Sequence, residues 1–309
     1  MPTAKRRNVR GNPRVVGISL ALMSAGLYGI NPVFSVFAYD DGANSRGLML
    51  ARFALAAPLL LVVRTVRVGR LPWPRGTDLL QIFLLGFFGF CMQSFFYFGA
   101  IERMPSGLVS VIFYCFPVIT VLLAWLLLRH RPNRIISVCL VATVAGVSLT
   151  AGSVSGAQAD GVAFTLAGAV TYSFYVVLSS RIMPRYDGIT GLTVILFGAL
   201  AGYVVMWALP VAGLDFAFPS SVLGWSNVLI IAVIGTIMSM GAFFAAMKRV
   251  GPGPTAVAST VEPVVTIAAG VAFLSESLTG RIVVGAALVI GAVVALTVAE
   301  ARRVASSVA

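Results

Sequence analysis

FYCFPVIT (113–120) and STVEPVVT (259–266) share one pattern, an apolar helix interrupted by proline, and they stand 146 residues apart (263 − 117). At that same offset Phe98 meets Phe244, Ala100 meets Ala246, Arg103 meets Arg249, Val111 meets Val257, Thr120 meets Thr266 and Val147 meets Val293. Two helices rich in Val, Ala and Leu can match by chance, but the paired proline and arginine weigh for an internal repeat.

Outward from those segments, apolar runs of about 20 residues, long enough to cross a bilayer, fall near 15–38, 46–63, 79–100, 106–128, 135–151, 162–181, 190–211, 223–247, 254–274 and 281–299. They make ten spans, five in each repeat, and an odd number of spans turns the second repeat upside down in the membrane. The expected fold is all-α: a polytopic membrane protein of ten transmembrane helices built as two inverted five-helix repeats. The chain divides into a basic cytoplasmic tail (1–14), a first repeat (15–151), a second repeat (162–299) and a short cytoplasmic tail (300–309). Composition agrees, because 59% of the 309 residues are hydrophobic and 10% charged, whereas soluble domains carry roughly a quarter charged residues.

Orientation follows from Lys and Arg, which stay on the cytoplasmic side. Of the 22 basic residues, 18 fall on one side: in the first tail, the loops 64–75, 129–134, 181–185 and 248–249, and at Arg302 and Arg303. Arg46, Arg103 and Arg281 mark the other side. Both termini are therefore expected in the cytoplasm of a bacterial-type cell, with the protein in its inner membrane. RHRPNR (129–134) and SESLTG (275–280) are equivalent loops of opposite bias, and His130 stands opposite Glu276 at the repeat offset. The net charge of +12 is satisfied by anionic lipid at the rim, and a tail that binds nucleic acid is the weaker reading. The apolar run from Val15 exceeds a signal-peptide core and lacks a small-x-small cleavage site, so it reads as a first span.

Catalytic machinery is absent: there is no HExxH, CxxC, GxSxG or P-loop, and no lysine inside a span. GPGP (251–254) is a helix breaker whose prolines remove amide donors. Cys91, Cys115 and Cys139 read as small packing residues, not as a disulfide or metal cluster. No cofactor or ATP site is expected. Gly198 and Gly202 let helices approach closely, a pattern that serves bundle packing and dimer interfaces alike and fixes no oligomeric state.

What remains are polar residues in hydrocarbon, which are functional candidates by default. Glu262 lies about 12 Å into span nine, near the midplane of a ~30 Å core. A carboxylate there suits a proton-coupled site or recognition of a substrate amine, against the alternative of pinning a proline-kinked helix through hydrogen bonds. Arg52 lies about 9 Å inside span two, close enough in depth for an ion pair with Glu262, either coupling or structural. Tyr28 and Asn31 in span one, Gln93 and Tyr97 in span three, Tyr114 in span four, and Tyr172 and Tyr175 in span six are candidates for a substrate pocket, or else for interhelical hydrogen bonds. Pro32, Pro117 and Pro263 are expected to break three helices at a similar depth.

With those residues in hand, the chain resembles the drug/metabolite transporter superfamily, in its ten-span EamA type, from Val15 to Ala299. STVEPVVTIAAGVAFLSESLTGRIVVGAALVIGAVVAL (259–296) resembles the last two helices of that family, with Glu262-Pro263 and Glu276. ARFALAAPLLL (51–61) resembles the second helix with its intramembrane Arg, and SAGLYGINPVF (24–34) the first, with Tyr28 where the family usually has Trp. The loop after span four departs from the family's Gly-Glu-Arg, reading Arg129-His130-Arg131. The resemblance implies two inverted repeats around a central cavity and transport of small metabolites such as amino acids, often as export.

The sequence thus points to a secondary transporter of small polar organic metabolites that works by alternating access, with the lipid bilayer and a small-molecule substrate as partners and protons as the coupling ion Glu262 admits. A non-transporting scaffold or sensor that binds a lipid or small ligand is the alternative, and it requires the midplane tyrosines to pack dry. An intramembrane enzyme would need a nucleophile and base that the chain lacks.

Overall fold

The computed structural model describes residues 13–69, 71–128, 134–151, 158–209 and 215–308. The basic tail 1–12, Arg129-His130-Arg131 and parts of the loops 151–160 and 212–222 lie outside the described residues, as do the side chains of Arg302 and Arg303.

Every described element is helical. The first repeat runs α1 (Pro13–Gly29), α2 (Asn31–Asp40), α3 (Ser45–Arg67), α4 (Gly76–Leu84), α5 (Cys91–Ile101), α6 (Ser106–Phe113), α7 (Phe116–Leu128) and α8 (Arg134–Ala151). The second runs α9 (Ala159–Ile182), α10 (Gly188–Ala208), α11 (Val222–Ala232), α12 (Ser239–Val250), α13 (Pro252–Ser259), α14 (Glu262–Leu274) and α15 (Gly280–Val308). Among the described residues nine stretches are long and apolar enough to cross a membrane, and the shorter apolar helix Val141–Thr150 within α8 completes ten.

Three spans are broken, and each break has a proline behind it. Pro32, Pro117 and Pro263 each stand second in the half-helix that follows the break, α2, α7 and α14. There the missing N–H leaves no bond unmade within the new helix, while the preceding half-helix must end. The breaks in spans four and nine coincide at the repeat offset. In spans three and eight, π-helical turns at Leu85–Phe90 and Val233–Met238 widen the helix at nearly equivalent places.

Contacts obey the same symmetry. Asp41, between spans one and two, accepts from the Ser221 N–H at 2.9 Å. Shifted by the repeat offset, that contact falls near residues 187 and 75, where the Tyr186 hydroxyl donates to Asp78 at 2.6 Å. Close backbone approach, not bulk, joins spans three and seven: a Cβ on Gly198 would collide with the Phe83 carbonyl, and one on Gly202 with Cys91. These two glycines therefore pack within the bundle.

One pair of contacts breaks the symmetry. At the end opposite the termini α6 packs along α14, but their repeat counterparts α13 and α7 make no comparable contact among the described residues. There α7 lies on α9, and α13 on α1. Between spans four and nine the bundle is closed at the end opposite the termini and parted at the termini end.

Candidate functional site at the helix breaks

In an unbroken helix the N–H of residue 263 would bond the carbonyl of Ser259, four residues back. Proline has no N–H to give. The Tyr114 hydroxyl supplies the missing donor, 2.9 Å from the Ser259 oxygen. The same hydroxyl lies 3.1 Å from Oε2 of Glu262, the first residue of α14, where the partial positive charge of a helix N-terminus favours a carboxylate. Tyr114 itself follows the last residue of α6, in the break of span four. The two symmetry-related breaks are thus tied by one phenol, which has one hydrogen for two acceptors.

Around this point the aromatic rings form a continuous wall. Tyr97 meets Phe113 edge-on at 4.9 Å, Phe116 meets Tyr172 at 4.8 Å, and Tyr172 stacks on Tyr175 at 5.7 Å. Tyr28, Tyr97 and Tyr172 all lie within electrostatic range of Glu262. Tyr28, Tyr97, Tyr172, Tyr175 and Glu262 are only partly buried, although they face one another near the middle of the bundle. Tyr114 beside them is 5% exposed.

The expected ion pair between Arg52 and Glu262 is not formed. Arg52 donates from Nε to the Thr236 hydroxyl at 2.9 Å and lies over the rings of Phe98 and Phe53 at 5.3 and 5.6 Å. Matching depth brought the two residues level, but rotation of α3 about its axis directs the guanidinium to the π-helical turn of span eight. The ion pairs among the described residues are Arg103–Glu102, Arg185–Asp78 and Lys248–Asp187, and Glu262 belongs to none of them.

Asn31 is also engaged. At the start of α2 its amide donates to the Gly235 carbonyl at 3.1 Å, within the same π-helical turn, whose wider ladder leaves carbonyls free to accept. Gly235 is required there, since a Cβ would collide with the Asn31 side chain. Gln93, 9% exposed and one turn before Tyr97 on α5, has no hydrogen-bond partner among the described residues. The structure therefore brings Tyr28, Tyr97, Tyr114, Tyr172, Tyr175 and Glu262 together and turns Asn31 and Arg52 toward span eight.

Some contributors were not singled out from sequence. Thr236 receives Arg52, and the carbonyl of Ser259 anchors Tyr114. Neither carries a signal of its own, because a hydroxyl or a backbone oxygen becomes special only through its neighbours. Phe113 and Phe116 were nearer to hand, since Phe116 stands at the repeat position of Glu262. Cys91, Cys115 and Cys139 are buried and free.

The EamA-like transporter family matches the chain twice, over residues 15–152 and 160–298. An uncharacterized transporter of Archaeoglobus fulgidus is 25% identical over 77% of this chain and 83% of its own. The uncharacterized inner membrane transporter YedA of Escherichia coli is 26% identical over 82% of each chain, and the uncharacterized transporter YcbK of Bacillus subtilis 24% identical over 85% and 86%. A solved structure described as "Crystal structure of protein" aligns over 93% of this chain and 99% of that one with a TM-score of 0.60 at 17% identity, a likeness of fold. The matched halves are the two five-helix repeats whose breaks meet at Tyr114 and Glu262, and the chain belongs to the EamA-like transporter family of the drug/metabolite transporter superfamily, a multi-pass membrane transporter.

Proposed function

We propose that this transporter exports small polar organic metabolites, amino acids or related compounds, across the inner membrane by alternating access, with both termini cytoplasmic. The observation that carries the reading is Glu262, a carboxylate among tyrosines that has a hydrogen-bond donor but, among the described residues, no ion-pair partner. An ionised carboxylate in a low-dielectric site needs a positive partner. A proton or the ammonium group of a substrate can serve, and each displaces the other. The aromatic wall supplies apolar surface with a few polar fixers, the usual composition of a small-ligand pocket, and ring faces that attract an ammonium. The parted contact between α7 and α13 gives such a ligand a route from the termini side, whereas a scaffold would have no use for it. Domain boundaries follow the repeats, 15–151 and 162–299.

The test is counterflow in proteoliposomes with pooled amino acids, nucleobases and related metabolites, comparing the wild type with Glu262→Gln. The variant keeps the shape of the side chain and loses its charge. Loss of counterflow, or loss of its pH dependence, is expected in a normally inserted variant. Wild-type rates with unchanged pH dependence would remove Glu262 from the cycle.

A further inference from the structure

The closed end of the bundle is held by a carboxylate that the substrate site does not use. Glu276, in the loop between α14 and α15, accepts from the Ser106 backbone N–H at 2.6 Å, the Ser106 hydroxyl at 2.7 Å and the Gly107 N–H at 3.0 Å. Ser106 begins α6, so a carboxylate of the second repeat caps a broken span of the first. Unpaired amides and the helix dipole both favour an anion at that position, and bonds to an ionised acceptor are roughly twice as strong as neutral ones.

The local backbone is shaped to deliver this group. Ser275, directly before it, is the one non-glycine among the described residues with positive φ, 54°, a conformation that persists where its surroundings over-determine it. Gly107 and Gly270 leave the room: a Cβ on Gly107 would stand 3.2 Å from Oε2 of Glu276, and one on Gly270 would collide with it. A cavity of about 170 Å³ borders the contact, lined by Leu108, Ile267, Val271 and Thr279 among others. Parting α6 from α14 therefore extends a space that already exists.

The repeat offset says what stands in the corresponding place at the termini end. Glu276 answers to His130, Ser106 to Pro252 and Gly107 to Gly253. Proline has no N–H to donate, and a histidine in place of the carboxylate means that the sequence holds no acidic counterpart of Glu276 at the repeat offset. Bringing α7 against α13 in the opposite state rebuilds the packing without the cap. We propose that Glu276 is the latch of the outer mouth: its bonds to Ser106 and Gly107 hold the state that is open toward the termini, and the missing counterpart makes that state the resting one. This rests on alternating access.

Symmetric reporters give the test. Val111, buried at the closed end, and its repeat partner Val257, partly buried at the parted end, are changed singly to Cys in the full-length protein lacking its three native cysteines. A membrane-impermeant methanethiosulfonate is then applied from either face. Glu276→Gln is expected to speed labelling of Val111→Cys from the outer face by about tenfold and to slow that of Val257→Cys, the size set by the loss of charge-assisted bonds. Ser106→Ala removes one of the three donors and shifts the balance the same way by roughly two- to fivefold; it decides the matter if the Gln variant does not insert. If transported substrate changes neither wild-type reporter, alternating access falls and the latch with it. If substrate shifts both reporters but Glu276→Gln and Ser106→Ala leave the rates unchanged, the latch alone is wrong.

Discussion

Tyr114→Phe removes one oxygen and leaves the ring to pack 5.7 Å from Phe116 as before. Two acceptors lose their donor, the Ser259 carbonyl at 2.9 Å and Glu262 at 3.1 Å. The carbonyl has no helical substitute, because its natural partner would be the N–H that Pro263 lacks. A buried polar group left unsatisfied costs about 1–3 kcal/mol in soluble proteins, whereas hydrogen bonds inside a membrane protein average about 0.6 and reach about 1.7 kcal/mol. Tyr114 is 5% exposed, which leaves little space for a replacement water, so a loss of about 1.5 kcal/mol, the upper part of the membrane range, is expected. Because Glu262 shares the hydroxyl, the effect is not additive with Glu262→Gln, and a coupling of about 0.5–1 kcal/mol is expected. Reversible unfolding of the wild type, both single variants and the double variant in bicelles measures it. A Tyr114→Phe protein as stable as the wild type within about 0.3 kcal/mol, or a cycle that adds without remainder, would refute the break-to-break bond.

Gly235→Ala drives a methyl group into the Asn31 amide and should destabilise by about 1–3 kcal/mol; adding Asn31→Ala should recover part of that loss in the same unfolding assay. The Ser221 backbone N–H and hydroxyl, joined by Ser220, hold the Asp41 carboxyl below its ordinary 3.8, so its stabilising effect is present above that pH and lost as pH falls through the lowered value. Asp41→Asn should therefore unfold at a lower temperature than the wild type at pH 7, with the gap narrowing as the pH is taken below 3.8, and a gap that does not narrow would count against the Asp41–Ser221 contact. A reporter fused after Ala309 should be active only in its cytoplasmic form and one inserted at Ser155 only in its external form. Finding both on one side would contradict the inverted repeat.

Much of this architecture was determined by the sequence alone. The 146-residue offset and the run of apolar segments settle ten helices in two inverted repeats, since a bilayer tolerates few other backbone arrangements. Pro32, Pro117 and Pro263 mark where three helices break, because each removes a ladder N–H, although Pro58 lies inside the unbroken α3 and shows that proline alone does not force a break. The scarcity of polar groups in the spans reduces the candidate site to a few tyrosines and Glu262. Partnership is another matter. Depth along a helix can be counted from sequence, but rotation about its axis depends on packing, and it is rotation that sends Arg52 to Thr236 and Asn31 to Gly235 while Tyr114 takes the carbonyl freed by Pro263. The tertiary structure also decides which end is closed. The pairs α6 with α14 and α13 with α7 are equivalent by the repeat offset, and the residues at their ends distinguish them: a carboxylate meets free amides at Ser106 and Gly107, whereas in the sequence a proline takes the place of Ser106 and no acidic residue answers Glu276.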